Sequence, residues 1–207
     1  MPERDGNWGS AGGLPVTERP HAPATDPSAA GRSGGFRGAV NHRDLVAIHD
    51  HLRSELEQIE GAVHEVASGE MTPGEARTLI NATTLRRNQW ALGAFCASYC
   101  RLVTMHHSVE DAYLFPTLAV SEPSLQPVLD RLEAEHVVIA GVLDSFDRAL
   151  VDMVRRNGDP EPGDPASGDG ISRIATLATE LSNLLRSHLA YEEDELADGL
   201  GRMSVPI

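Results

Sequence analysis

The chain has 207 residues and a formal net charge of −14, and that length is enough for one domain with a sizeable core. A chain this acidic is a poor candidate for binding nucleic acid or an anionic membrane surface. It has no apolar run near the ~20 residues needed to span a bilayer and no secretory signal at its N-terminus. We therefore expect a cytoplasmic protein with no nucleic-acid or membrane partner.

The first segment is rich in Gly, Pro, Ser and Ala and holds few large apolar residues. Such a segment cannot bury enough surface to offset the entropy lost on ordering. We therefore predict a disordered tail over residues 1–38 that is dispensable for folding, followed by one domain over residues 41–198.

Two predicted helices follow the tail. Asn41 is typical of a helix N-cap, and apolar residues then recur at helical spacing as far as Gly69, a common helix terminator. Residues 72–75 form a capping box, and the apolar pattern after it continues until Pro116 interrupts it. One helix over that distance would be much longer than its neighbours, so we expect a break near residues 81–84.

The third predicted helix starts among residues 121–125 and runs to about Asn157. A loop rich in Pro, Gly and Asp separates it from the fourth helix, whose stripe reaches Leu196. No segment alternates with period two, so we predict no strand. Four amphipathic helices with connectors of modest length predict an all-α fold, an antiparallel four-helix bundle.

Two of these helices carry the same phrase. HHSVEDAYL at residues 106–114 and HLAYEEDEL at residues 188–196 both place a Glu four residues after a His. Each phrase also follows, at a distance, a His on an apolar stripe, first His49 and then His136. Residues four apart share one face of a helix, so each phrase directs an imidazole and a carboxylate at one point.

The duplication favours a metal site over its simpler alternatives. Alone, such a His–Glu pair is usually a surface ion pair, and a His on an apolar stripe is usually a core residue. Here six residues share the inward stripes: His49, His106, Glu110, His136, His188 and Glu192. Burying them together is costly unless something binds them. His107 lies one step off its stripe, so we expect it to take no part.

The residue types narrow the choice of metal. Imidazole and carboxylate suit iron, manganese or zinc, and the absence of thiolate argues against a soft-metal or cluster site. Two ions bridged by both Glu side chains would each have four protein donors. Each ion would keep open positions for an oxo or hydroxo bridge and a small molecule, an arrangement that favours redox-active iron over structural zinc.

These motifs resemble the haemerythrin-like, or HHE cation-binding, family over about residues 41–198. The runs that carry the resemblance are HDHLR (49–53), HHSVEDAYLFP (106–116), EH (135–136) and HLAYEEDEL (188–196). The resemblance implies an up-and-down four-helix bundle around a non-haem di-iron centre. It makes His49, His106, His136 and His188 terminal ligands and makes Glu110 and Glu192 bridges.

Two departures from the family's oxygen carriers affect the functional prediction. Those carriers have a further His one turn after the third-helix His, where this chain has Ala140, and an Asp where it has Glu193. We expect Glu192 to bridge and Glu193 to lie behind the ligands. With Ala140 in place of a fifth His, we expect an open centre, which suits reactive chemistry better than reversible oxygen carriage.

Tyr99 is a further candidate, because it lies on the same helical face as His106 and Glu110. It could ligate iron as phenolate or donate a hydrogen bond to the site. The alternative is a buried tyrosine bonded to a helix backbone or a carboxylate. Acidic residues next to the ligands in sequence, such as Asp111 and Glu135, are expected to be mostly solvated.

Two classes of function follow. The first is a di-iron protein that binds and reacts with peroxide, nitric oxide or O2 in oxidative or nitrosative stress defence, with catalase-like, peroxidase or nitric-oxide-detoxifying activity. The second is an O2- or nitric-oxide-binding or sensing protein, or an iron-handling protein, without turnover. The resemblance implies O2, H2O2 and NO as ligands and two Fe ions as the cofactor. We expect residues 1–38 to be dispensable for iron binding as well as for folding.

Overall fold

The computed structural model describes four stretches of the chain: residues 19–23, 42–68, 98–156 and 165–203. Three sequence predictions fall outside them, namely the N-cap at Asn41, the capping box at residues 72–75 and the break near residues 81–84.

Four helices make up almost all of this part of the chain. Helix α1 spans His42–Ser68, α2 covers residues 98–121, α3 spans Gln126–Arg156 and α4 spans Pro165–Met203. A turn of 3-10 helix at Pro123–Leu125 joins α2 to α3. The described residues contain no strand, so the prediction of an all-α bundle is confirmed. None of the described helices is both long and apolar enough to cross a membrane.

Apolar side chains form two separate buried clusters. Cluster A includes Leu45, Leu114, Phe115, Leu118, Leu125, Leu129, Leu132, Leu196 and Leu200. Cluster B includes Leu52, Leu56, Ile59, Tyr99, Val103, Ile139, Phe146, Leu181 and Leu185. Along the chain, α1 runs from cluster A to cluster B, α2 runs back, α3 repeats the direction of α1, and α4 repeats that of α2. This alternation is that of an antiparallel, up-and-down bundle.

Helix α2 contains a turn of π-helix at Glu110–Leu114, where the Phe115 N–H donates to the Glu110 carbonyl, five residues back. Pro116 interrupts the apolar pattern in the sequence but does not end this helix, because Phe115–Ser121 is also helical. A proline has no N–H to donate and its ring crowds the preceding turn. The wider π turn directly before it accommodates that ring, and such turns are frequent at functional sites.

Residues 19–23 lie against the outside of α3 and α4. The Arg19 guanidinium pairs with Glu135 of α3, and the Ala22 N–H donates to Glu195 of α4. The prediction of a disordered tail did not anticipate these contacts. For the rest of residues 1–38 it stays a prediction.

Candidate metal centre

Between clusters A and B, every helix contributes buried polar side chains to one layer. The buried His and Glu residues are His49, His106, His107, Glu110, Glu135, His136, His188 and Glu192. Side chains of this kind are seldom buried without partners, since burial removes the water that solvates them. Their partners therefore decide what the layer does.

A first group of donors comes from α1, α2 and α4: His49, His106, Glu110 and Glu192. The Nε2 atoms of His49 and His106 are 3.1 Å apart, and the His106 Nε2 lies 3.1 Å from the Glu110 Oε1. One donor atom from each residue lies within 4.8 Å of every other, which is close enough to hold one metal ion.

A second group consists of His107, His136 and His188, all buried. The Nε2 atoms of His136 and His188 are 3.1 Å apart. The His107 ring stacks on the His136 ring, with centroids 4.0 Å apart and planes 9° from parallel. Three imidazoles from three helices thus converge on a second point.

The two glutamates lie between the groups. The Glu110 Oε1 faces His106, while its Oε2 lies 3.6 Å from the His136 Nε2. The Glu192 Oε2 lies 3.4 Å from the His49 Nε2 and 3.8 Å from the His188 Nε2. Each carboxylate therefore reaches toward both sets of imidazoles.

Several of the inward-facing atoms have no hydrogen-bond partner among the described residues. Both carboxylate oxygens of Glu110 and of Glu192, and the His107 Nε2, are buried without a hydrogen bond in the described part of the chain. An unpaired buried polar atom costs about 1–3 kcal/mol, and a charged one costs more. Five such atoms in one layer fit a site that a cation completes.

The electrostatics of the layer point the same way. Burial, with the neighbouring Glu192 charge, raises the pKa of Glu110 well above its usual range, and burial raises the pKa of Glu192 to about 8. Burial and nearby imidazoles lower the pKa of His49 and of His106 to about 3. Neutral imidazoles keep the lone pair that a metal needs, and a cation would return the carboxyl groups to their ionised form.

Outside the layer, three imidazoles each face a carboxylate through Nδ1. The pairs are His49 with Glu193 at 2.8 Å, His136 with Asp111 at 2.7 Å, and His188 with Glu135 at 3.0 Å. An ionised carboxylate only accepts, so Nδ1–H donates and the inward Nε2 keeps its lone pair. Such contacts fix the ring orientation of metal-binding histidines and raise their basicity.

The expectation that most of these acidic neighbours are solvated is wrong for Glu135, which is buried. Glu193 faces His49 from behind, the position predicted for it, and Asp111 is 41% exposed while it faces His136. A side chain one residue from an inward ligand points about 100° away from it. In a bundle, that direction faces the adjacent helix, whose histidine it meets. Asp50 follows the original expectation, because it is exposed and pairs with Arg53.

Burial acts to raise the pKa of Glu135, but hydrogen bonds from His188, Arg19 and Arg131 outweigh it and hold the pKa at about 2. Glu135 is therefore an ionised acceptor even though it is almost fully buried.

All six predicted ligands lie in the layer, and the structure brings them together with one more. Dismissing His107 was an error, because its side chain is buried between His106, His136 and His188. The His-His doublet was the missed signal: two adjacent residues can straddle the inward direction, so both reach the interior.

Tyr99 is buried in cluster B and belongs to neither donor group. Its hydroxyl has no hydrogen-bond partner within the described residues, and burial raises the pKa of the phenol. A role for Tyr99 at the centre stays a prediction.

Comparison with known proteins supports the same type of site. The family model described as Hemerythrin HHE cation binding domain matches residues 40–199. The comparisons with curated proteins and with solved structures found no match.

Proposed function

The chain belongs to the hemerythrin HHE cation-binding domain family, and from that premise we propose that it is a non-haem di-iron protein that binds and reacts with O2, H2O2 or NO. Family membership and the two donor groups imply metal binding, for which iron is a suitable metal, and the binding of a small-molecule ligand. The di-iron stoichiometry and the reactivity are our proposal.

The distribution of donors supports two ions. One ion would be held by His49 and His106, the other by His107, His136 and His188. Glu110 and Glu192 would bridge them, since each has oxygen atoms near both sets of imidazoles. This shared position of the two carboxylates is the observation that carries the proposal.

Iron is favoured over zinc by the donor types. The set is imidazole and carboxylate without thiolate, which suits non-haem iron, whereas structural zinc usually has a closed tetrahedral set. Bound iron would supply electrons to, or accept them from, the small molecule.

The chain's own residues would set where that molecule binds. The first group has two imidazoles and the second has three, so with shared bridges the first ion has fewer protein donors. We therefore place the small-molecule position beside His49 and His106. The outer carboxylates Glu193 and Asp111 would hold the rings still while the ligand enters.

His107 supports the second class of function as well. By supplying a third imidazole to the second group, it restores a histidine that the sequence pattern had counted as missing. A centre filled in this way fits O2 or NO binding, sensing or iron handling without turnover as readily as it fits catalysis. A role in oxidative or nitrosative stress defence in the cytoplasm stays part of the proposal.

Iron loading followed by reaction with each ligand tests the proposal. The purified chain, loaded anaerobically with Fe(II), should hold about two irons and change its visible spectrum with O2, H2O2 or NO. Many equivalents of H2O2 consumed per chain would indicate an enzyme, whereas a stoichiometric, reversible response would indicate binding or sensing.

The test variant is Glu110→Gln, which keeps the shape of a bridging side chain. Its matched control is Asp130→Asn, at an exposed carboxylate. Iron content should fall in the first and stay at the wild-type level in the second. One zinc and no iron in the wild-type chain would contradict the proposal.

A further inference from the structure

Arg19 makes a two-point contact with Glu135, although it lies outside the bundle in sequence. Its Nε donates to Oε1 and its Nη2 donates to Oε2, both at 2.8 Å. Its Nη1 donates at 3.0 Å to the carbonyl oxygen and the hydroxyl of Ser187. The side chain is only 8% exposed, so this is a buried, fork-shaped ion pair of the kind that arginine favours.

The residues that follow Arg19 are held on α4, and we name residues 19–23 the strap. The Arg19 guanidinium stacks over the Tyr191 ring, 4.6 Å from its centroid, and the Tyr191 hydroxyl donates to the Pro20 carbonyl. His21 and the Ala22 N–H both contact the Glu195 carboxylate. With the Arg19 contact to Ser187, the strap is thus fixed at three successive turns of α4, at Ser187, Tyr191 and Glu195.

These contacts lead to a ligand of the second donor group. The Glu135 Oε2, which receives the Arg19 Nη2, also accepts from the His188 Nδ1 at 3.0 Å. Arg131 donates to the Glu135 Oε1 at 2.8 Å. The orientation of Glu135, and with it that of the His188 ring, therefore depends on arginines from two separate parts of the chain.

Neither of the other two outer carboxylates contacts the strap. Asp111, which faces His136, has a side chain that is 41% exposed. Glu193, which faces His49, is held at 2.8 Å by Arg53 of α1. Dependence on the strap is thus specific to His188.

We propose that the strap is a working part of the metal centre, in which Arg19 is a positioning residue that holds Glu135, and through it His188, in ligand geometry. Docking of the strap then sets how firmly the second donor group retains its metal. The inference rests on the proposed function in one respect, because it requires a metal at that group.

Metal release from the full chain tests the inference. The wild-type chain and the variants Arg19→Gln, Arg19→Lys, Glu195→Ala and Arg148→Gln are loaded with Fe(II) and challenged with an excess of chelator. The readouts are the iron bound at saturation, the release rate of each iron and the melting temperature without metal. Arg148→Gln is the control, since Arg148 forms an exposed ion pair with Asp144.

In Arg19→Gln we expect about two irons at saturation, one of them released roughly 10- to 100-fold faster than in the wild type, the usual effect of losing an outer partner of a metal ligand. Arg19→Lys keeps the positive charge but loses the forked contact, so its release rate should lie between those of the wild type and Arg19→Gln. Glu195→Ala loosens the strap without touching Glu135 and should accelerate release of the same iron. Arg148→Gln should match the wild type.

If each iron left Arg19→Gln at the same rate as it leaves the wild type, the inference would be overturned, even if the melting temperature fell. The strap would then only stabilise the fold. A wild-type chain that holds no iron would instead overturn the proposed function. The two failures are distinguishable because only the second removes iron from the wild type.

Discussion

The two sides of the metal layer use the same outer chemistry built from different parts of the chain. On one side, His49 donates to Glu193, and Glu193 pairs with Arg53, which lies four residues after His49 on α1. The Glu193 and Arg53 side chains are 19% and 22% exposed. An ion pair in contact with water contributes only about 0–1 kcal/mol, so this side is held mainly by helix packing.

On the other side, His188 donates to Glu135, and Glu135 pairs with Arg19 from outside the bundle. Glu135 is 1% exposed. Breaking a buried pair by removing one partner costs about 3–5 kcal/mol, because the remaining charge stays buried. The same arrangement of imidazole, carboxylate and guanidinium therefore tolerates change where water reaches it and depends on distant residues where water does not.

The largest expected effect is the loss of iron from both sides of the layer. Glu110 and Glu192 serve both donor groups, so Glu110→Ala or Glu192→Ala should deplete both irons. Metal analysis of the purified variants measures this. Retention of one full iron in either variant would show that the carboxylate belongs to one group only.

A smaller effect separates the sides. His106→Ala should deplete the first group, and His188→Ala should deplete the second, leaving about one iron in each variant. Each leaves inward polar groups without a partner, so the melting temperature should fall as well. Loss of both irons from both variants would mean that neither group holds a metal alone.

Glu135→Gln and Glu193→Gln each remove the charge of one outer carboxylate, and urea unfolding of the metal-free chain measures the loss of stability in each. Glu135→Gln leaves Arg19 buried against a neutral group and should lower the free energy of unfolding by about 3 kcal/mol or more. Glu193→Gln should lower it by about 1 kcal/mol or less. Equal losses would show that exposure does not govern the outer pairs.

Tyr99→Phe should have the smallest effect. The ring stays in cluster B, and the substitution removes only a hydroxyl that has no hydrogen-bond partner among the described residues. The free energy of unfolding should therefore change by less than about 1 kcal/mol. The visible spectrum of the iron-loaded variant decides the role of Tyr99. A charge-transfer band lost on substitution would assign the phenol to the centre, whereas an unchanged spectrum would make Tyr99 a core residue.

Much of the fold followed from the periodicity of apolar residues. The stripe on α3, for example, continues through Leu129, Leu132, His136 and Ile139, and only a helix buries all four. The π turn at Glu110–Leu114 was not predictable in this way. It reflects a choice between hydrogen bonds to the fourth and fifth preceding residues, which packing and Pro116 decide rather than side-chain pattern.

The site was predictable where residues repeat and unpredictable where contacts join distant or off-stripe positions. The repeated His–Glu phrase pointed to residues that the structure places together. His107 was missed because a single inward direction was assumed for α2. Arg19 was missed because composition describes a segment on average, while one arginine pairs with a residue 116 positions away.

The outer carboxylates link the four helices in an open series that runs from α2 through α3 and α4 to α1. Asp111 of α2 binds His136 of α3, Glu135 of α3 binds a histidine of α4, and Glu193 of α4 binds a histidine of α1. Leucine layers alone let one helix slide past another by a turn at modest cost, whereas a polar contact at a fixed position specifies alignment. A slip of one turn moves a side chain about 5.4 Å, which is too far for any of these bonds to survive. These outer hydrogen bonds therefore fix the register of the helices in the bundle. The same contacts that orient the histidines of the centre also determine how the helices align.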